Sequence, residues 1–559
     1  MKNADTSLKT VCIIYIVTTI FYGILGSYPK AFMIYPDEIR YIGISRSLVN
    51  NGSFIIQNCY VPYQKLFYGL CLLPAFLIGN TYNQMMLINW LNAILMCSVV
   101  FPVYLFGRNI SGSIQFKNIR LSKSTLFILF AAVCPFLVNS QFYMSENAFF
   151  PLCMWILWIM YKYIMAEEQY LNVGINVLLG ILFYLAYFCK EVALYFPISY
   201  ALYIIYRFVI TKKNNRNALW GLFTCLGTFA LIFAVTKMTI FANMGNSYNQ
   251  QDIASVFSVH HLLYCGYSFI YMLLFTILMF GVIPVFFPIK VWNKMSEKDK
   301  ALWMICNLII VIMCFTIAYT ISIREDFGDR SPKLVLRYLE VFVIPYIYLM
   351  FKYFCMADNS DYDRLYKKST VIYLVLFVLL GYTNDSRLTD NMLLRYYYII
   401  NEGYEAVSRR LIQSGVLLAI ADELVYLGIR LIMAYCIYRL SKLLINNSKK
   451  FIGIFSRIFI LICFVGIVGS LAISILKYKV PDNLAREAAK MNVTLSEYNG
   501  DNVLIIAQDD MTKRLLDTYV DANVFVEDSE GMSLYKFDES TIGRTIYAGI
   551  ENGHLRIIK

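Results

Sequence analysis

The sequence predicts an all-α, polytopic membrane protein that ends in a small α/β domain, and three observations carry that prediction. Of 559 residues, 59% are hydrophobic and only 15% are charged, whereas a soluble globular domain carries about 25% charged residues. Apolar runs such as 269–284, 302–323 and 458–476 each approach the ~20 residues that cross a hydrocarbon core. Beyond residue 480 the character reverses: charges become frequent, and cysteine does not recur after Cys463.

In chain order, spans are expected near 11–29, 83–107, 122–139, 146–165, 172–189, 192–210, 218–240, 263–288, 301–322, 338–356, 370–383, 415–438 and 452–476, about 13 helices. The first is not followed by a small-residue cleavage site, so it reads as a retained helix and not a signal peptide. The apolar stretch 66–78 is short and holds Pro74; it reads as a re-entrant or interfacial helix. The segment 480–559 reads as a separate domain: strand 503–507, helix 510–520, strand 524–527, then short strands at 533–537 and 554–558. The membrane domain is therefore taken as 1–479. No internal repeat is evident.

The basic residues set an expected orientation. Arg108/Lys117/Arg120/Lys123, Lys212/Lys213/Arg216, Lys290/Lys294/Lys298/Lys300, Arg364/Lys367/Lys368 and Arg439/Lys442/Lys449/Lys450 fall on alternate turns. Positive charge favours the cytoplasmic side, which puts the N-terminus inside and residues 480–559 outside the cell membrane. The same clustering accounts for the net charge of +12 without nucleic acid. The 45 tyrosines and 40 phenylalanines suit aromatic belts at the bilayer edges. The 14 cysteines are scattered with no CxxC pair, and the only histidines are His260, His261 and His554. Neither a disulfide framework nor a His-based metal site is expected.

That orientation gathers the chemistry-bearing residues on the outer rim. Asp37 and Glu38 follow Pro36, which is favoured at a helix start, and a carboxylate there stays ionised against the helix dipole. The helix they open, to about Asn50, carries apolar stripes on two faces, Tyr41/Ile44/Leu48 and Ile39/Ile42/Val49. It is therefore expected to be wedged between protein and lipid. Capping alone explains Asp37 about as well as function does. Glu146, after Ser145, also suits the first turn of a helix, and Lys190-Glu191 suits a local ion pair. The stretch 324–330, ending in Arg330, suits a solvated loop. Arg337-Tyr338 opens a span, where an arginine must find a carboxylate, a phosphate or water. Lys65 is placed to meet a lipid phosphate. Together these residues make an outer cleft of carboxylates and cations beside lipid, which suits transfer of a sugar from a polyprenyl phosphate. A carboxylate serves as base toward the acceptor hydroxyl, and cations hold the departing phosphate. A lipid-linked-glycan transporter or flippase, or a non-catalytic scaffold, would share the polytopic plan; a transporter would place its polar and broken-helix features near mid-bilayer.

The run Pro36-Asp37-Glu38-Ile39-Arg40-Tyr41, with Asn51-Gly52-Ser53-Phe54 after it, resembles the first outer loop of the type C (GT-C) glycosyltransferases, among them the protein mannosyltransferases and lipid A aminoarabinose transferases. Tyr63-Gln64-Lys65-Leu66-Phe67-Tyr68 takes the place of their interfacial Lys element but lacks Lys-Pro-Pro. Ser145-Glu146-Asn147 with Pro151-Leu152 resembles their second acidic motif, and Arg337-Tyr338-Leu339-Glu340 with Pro345 their Arg-Tyr motif. The resemblance implies a GT-C-like fold and an inverting glycosyltransferase using a polyprenyl-phosphate-linked sugar donor and an extracytoplasmic acceptor. It implies Asp37 as general base or acceptor-orienting group, and Glu38 and Glu146 as residues that bind the acceptor or a divalent metal. Lys65, Lys190, Arg330, Arg337 and Tyr338 become the donor-phosphate residues. Asp37 and Glu146 are candidate ligands of a divalent cation, Mg2+ or Mn2+, though no feature of the sequence requires one.

Overall fold

A computed structural model describes residues 6–32, 37–56, 59–60, 65–116, 119–164, 172–211, 216–240, 259–322, 335–353, 479–496, 502–520, 524–528 and 542–557, with isolated positions between 368 and 468. The expected spans 370–383, 415–438 and 452–476 lie wholly or largely outside the described residues, as do Arg330 and the strand expected at 533–537. Among the described residues, seven helices are long and apolar enough to cross a membrane. The chain is a multi-pass helical membrane protein with a small C-terminal sheet.

The first span, α1 (Leu8–Gly26), is capped by Ser7, whose side chain accepts the Thr10 N–H. Its Ile13, Val17, Ile20 and Ile24 are exposed, as suits a helix whose surroundings are lipid. Helix α2 (Asp37–Asn51) carries the acidic pair in its first turn. Helix α3 (Phe67–Phe76) packs against α2 closely enough that a Cβ on Gly69 would lie 2.7 Å from Ser45 Oγ. Then come α4 (Thr81–Cys97), α5 (Val100–Gly107) and α6 (Lys123–Ala132), the last running into a buried 3-10 turn at Pro135–Gln141. Pro135 cannot donate to the ladder, so the helix tightens there. Helices α7 (Glu146–Ile159) and α8 (Val173–Cys189) follow, then α9 (Tyr195–Thr211) and α10 (Arg216–Met238).

The span expected as one helix over 263–288 is two, α11 (Val259–Phe280) and α12 (Val282–Lys290). Gly281 between them has φ +83°, a backbone conformation that suits glycine and ends the first helix. Helix α13 is Glu297–Ser322, and α14 (Val343–Tyr353) begins from a 3-10 turn at Arg337–Phe342.

The C-terminal unit has helices α15 (Asp482–Ser496) and α16 (Asp510–Tyr519). Its sheet is formed by Asn502–Ala507, Val524–Asp528, Ile542–Glu551 and His554–Ile557. The strand order runs 524–528, 502–507, 542–551, 554–557, with the last pair antiparallel and the others parallel. The sequence reading missed α15 and the strand Ile542–Glu551. The latter holds two glycines and lacks clean alternation, yet Asn552-Gly553, both at positive φ, closes its hairpin as such a pair does.

Both apolar faces of α2 are covered by protein: Ile39, Tyr41, Ile42 and Ile44 are at most 3% exposed, and Arg46 is as buried. The expected wedge between protein and lipid is therefore corrected. The C-terminal unit supplies Arg46 with two carbonyl acceptors, Thr518 and Val520, of a kind that lipid lacks.

Candidate active site

The site forms where four helix ends and one extended residue converge. Asp37, in the first turn of α2, keeps 37% of its side chain exposed and faces Arg337, with Oδ2 3.6 Å from Nη2. Glu146, in the first turn of α7, is 1% exposed, and its Oε1 lies 3.0 Å from Arg337 Nε and 3.0 Å from Lys190 Nζ. Lys190 follows α8 in extended backbone (φ −152°, ψ 128°), which turns its side chain inward; its ammonium lies 4.0 Å from the centroid of the Tyr338 ring. Arg337 donates from Nη2 to Tyr338 Oη at 3.3 Å. Tyr41 Oη and Ser145 Oγ, 2.9 Å apart, tie α2 to the start of α7.

Five of the residues expected from sequence, Asp37, Glu146, Lys190, Arg337 and Tyr338, are thus brought together. Lys65 is close by in the chain's path but pairs with Glu191 at 3.3 Å. The local Lys190–Glu191 ion pair expected from sequence is not made: the two side chains diverge, Lys190 to Glu146 and Glu191 to Lys65. Glu38 is fully buried and accepts the Tyr143 N–H at 2.8 Å. Successive helix residues point ~100° apart, so Glu38 faces the interior while Asp37 faces the opening.

Three residues of this region were given no role by the sequence reading. Lys30, just beyond α1, is 1% exposed, donates to the Gln141 carbonyl and lies 4.8 Å from the Tyr143 ring centroid. Burial pulls its pKa down to about 7, opposed by the Glu38 carboxylate. Glu340 accepts the Asn139 amide at 3.0 Å and the N–H groups of Met392 and Leu393, holding the turn that presents Arg337. Arg46 points to the C-terminal unit. Each is a lone charge in an apolar neighbourhood, and that was the available signal.

Among the described residues no three His, Cys, Asp or Glu side chains come together as metal ligands. Asp37 and Glu146 both face Arg337, whose guanidinium takes the position a shared cation would need. Two carboxylates so engaged fall short of the oxygen set that Mg2+ or Mn2+ requires.

The fold and site define a polytopic membrane protein with a cleft at one end of its helices. A buried carboxylate there orients two cations toward a more exposed one. No family model and no curated protein matches the sequence. In fold the chain is similar to ArnT from Cupriavidus metallidurans in the apo state (14% identity, TM-score 0.48) and bound to undecaprenyl phosphate (12%, TM-score 0.49). In both, 93% of this chain and 86% of the other are covered. It is also similar to the archaeal oligosaccharyltransferase AglB from Archaeoglobus fulgidus in complex with an inhibitory peptide and a dolichol-phosphate (12%, TM-score 0.39), covering 91% of this chain and 64% of that one. An Archaeoglobus fulgidus oligosaccharyltransferase in complex with Zn and sulfate matches at 11% identity and TM-score 0.40, with 92% and 62% covered.

Proposed function

We propose that the protein transfers a sugar from a polyprenyl phosphate to an extracytoplasmic acceptor, with inversion at the anomeric carbon. One observation carries the reading. The buried group Glu146, Lys190 and Arg337 sets two cations around one carboxylate, and Arg337 extends from it to the more exposed Asp37. A phosphate entering there meets a guanidinium able to bind two oxygens and an ammonium braced on the Tyr338 ring. Removing water from such a site strengthens both contacts.

In the proposed step the acceptor oxygen attacks the anomeric carbon and its proton passes to Asp37. The bond from that carbon to the phosphate oxygen breaks, and its electron pair leaves with the polyprenyl phosphate, which Arg337 and Lys190 hold. The phosphate is a stabilised anion and needs no general acid. Glu146 acts as the counter-ion that aims both cations, Glu38 as a buried anchor for the start of α2, and Lys65 as a rim cation. We assign 1–479 to the membrane domain and 480–559 to an outer domain, with the N-terminus cytoplasmic.

The test is transfer from a polyprenyl-phosphate-linked sugar by the purified full chain in nanodiscs, with undecaprenyl phosphate binding measured alongside. Saturable binding that depends on Arg337 supports the reading. No binding by a folded parent chain would overturn it. For orientation, a cysteine introduced at the exposed Met511, in a chain otherwise free of cysteine, should label from outside intact cells. Labelling only after permeabilisation reverses the assignment.

A further inference from the structure

The C-terminal unit meets the membrane part through α15, where Asp482 and Asn492 take Tyr82 and Thr81 at the start of α4, and through the end of α16, which alone of the two reaches α2 among the contacts described. Arg46, on α2, donates from Nη1 to the Val520 carbonyl and from Nη2 to the Thr518 carbonyl, both at 2.8 Å. The same turn grips the chain leading into α2. Thr518 Oγ1 accepts the Phe32 N–H at 3.1 Å, and Tyr519 Oη donates to the Lys30 carbonyl at 3.1 Å. Lys30 also bridges to Lys479, and the Val480 N–H reaches the Pro29 carbonyl at 3.0 Å.

The chemistry is matched. The last carbonyls of a helix have no partner within it and carry the negative end of its dipole. The planar fork of a guanidinium can satisfy two of them at once. Arg46 is 3% exposed, so this contact is desolvated and its geometry is firm. It lies on the same rigid helix as Asp37, and the gripped segment 30–32 precedes that helix.

We infer that the Thr518–Val520 turn is a clamp that sets the position of Asp37 against Arg337, with Arg46 as its positioning residue. The outer unit thereby acts on the site through α2. The mechanical claim concerns geometry alone; its consequence for turnover rests on the proposed role of Asp37.

The test reads the geometry directly. In a full-length chain freed of its native cysteines, Asp37→Cys places a thiol beside Arg337, and a neighbouring cation favours the reactive thiolate. The pH profile of its alkylation by a water-soluble maleimide then reports their separation. Arg46→Lys keeps the charge and one hydrogen bond but loses the fork. It should slow alkylation at pH 6.5 by about threefold, equivalent to half a pKa unit, and move the profile to higher pH. Tyr519→Phe, which removes the bond to the Lys30 carbonyl, and Thr518→Val, which removes those to the Phe32 N–H and the Arg514 carbonyl, should act in the same direction by less and guard against a misfolded Arg46 variant. With Arg337→Gln also present, Arg46→Lys should have no further effect. An unchanged profile in all three variants overturns the clamp. So does a slowing that persists without Arg337, since that would report only a change in exposure. An intact clamp alongside full transfer by Asp37→Asn would instead refute the catalytic reading and leave the mechanical one standing.

Discussion

Two buried carboxylates stand at opposite ends of the helices, and their surroundings differ in kind. Asp299, in the first turn of α13, is fully buried and saturated. Lys352 Nζ donates to it at 2.7 Å, Tyr353 Oη at 2.5 Å, Ser296 Oγ at 2.5 Å, Tyr161 Oη at 3.1 Å and Tyr348 Oη at 3.3 Å. Glu146 is equally buried, but its Oε1 lies at ion-pair distance from two cations, and neither of its oxygens has a partner in hydrogen-bond geometry among the described residues. A network with every acceptor filled rigidifies a fold. At Glu146 one of the two cations, Arg337, is shared with a second and more exposed carboxylate, Asp37, so the group is not closed on itself. The difference separates a structural staple from a site more clearly than burial does.

The first way to break that comparison is Asp37→Asn. The amide keeps the volume and much of the capping ability but accepts no proton, so transfer should fall by ~10²-fold or more while undecaprenyl phosphate binding stays near the parent's. Transfer at the parental rate would make Asp37 a helix cap. Next, Arg337→Ala should weaken undecaprenyl phosphate binding by about tenfold or more, the scale of a charged hydrogen bond. Lys190→Ala should cost less, since an ammonium binds as a single point. Equal losses in a binding titration would remove the distinction between the two cations.

At the opposite end, Asp299→Asn should leave binding and turnover of the folded protein unchanged. It should lower stability by roughly 2–3 kcal/mol, below the usual cost of breaking a buried ion pair because Lys352 is 20% exposed. A thermal melt beside a turnover assay decides it; lost turnover at unchanged melting temperature would make Asp299 part of the function.

The smallest effect is a slope. Lys30 titrates near 7 in the folded protein and near 10.4 when unfolded, so between these values the unfolded chain binds more protons. Its contribution to stability therefore rises with pH over that window and is least favourable below about 7. Lys30→Met should flatten the dependence, read as melting temperature from pH 7 to 10; an unaltered slope would return Lys30 to an ordinary lysine.

The membrane class, most helix positions and the positions of Asp37, Glu146, Lys190 and Arg337 at helix ends were legible from apolar run length, proline placement and charge at the span edges. These are local properties, read within a few turns of one helix. The C-terminal strands at 502–507, 524–528 and 554–557 and α16 were legible for the same reason; the strand Ile542–Glu551 and α15 were not.

What the sequence could not carry was direction and partnership. Asp37 and Glu38 are adjacent and chemically alike, yet one faces Arg337 and the other a backbone N–H, because a helix rotates ~100° per residue and only packing says which way is in. Lys190 and Glu191 read as a pair, but the backbone turn between them sends each to a distant partner. Nothing near Arg46 in the sequence names its partners, the carbonyls at the end of α16. Run length and charge, by themselves, determined a membrane bundle with an ionic rim. The tertiary structure alone decided which charges meet, since a buried charge takes its partner from wherever the fold brings one within reach.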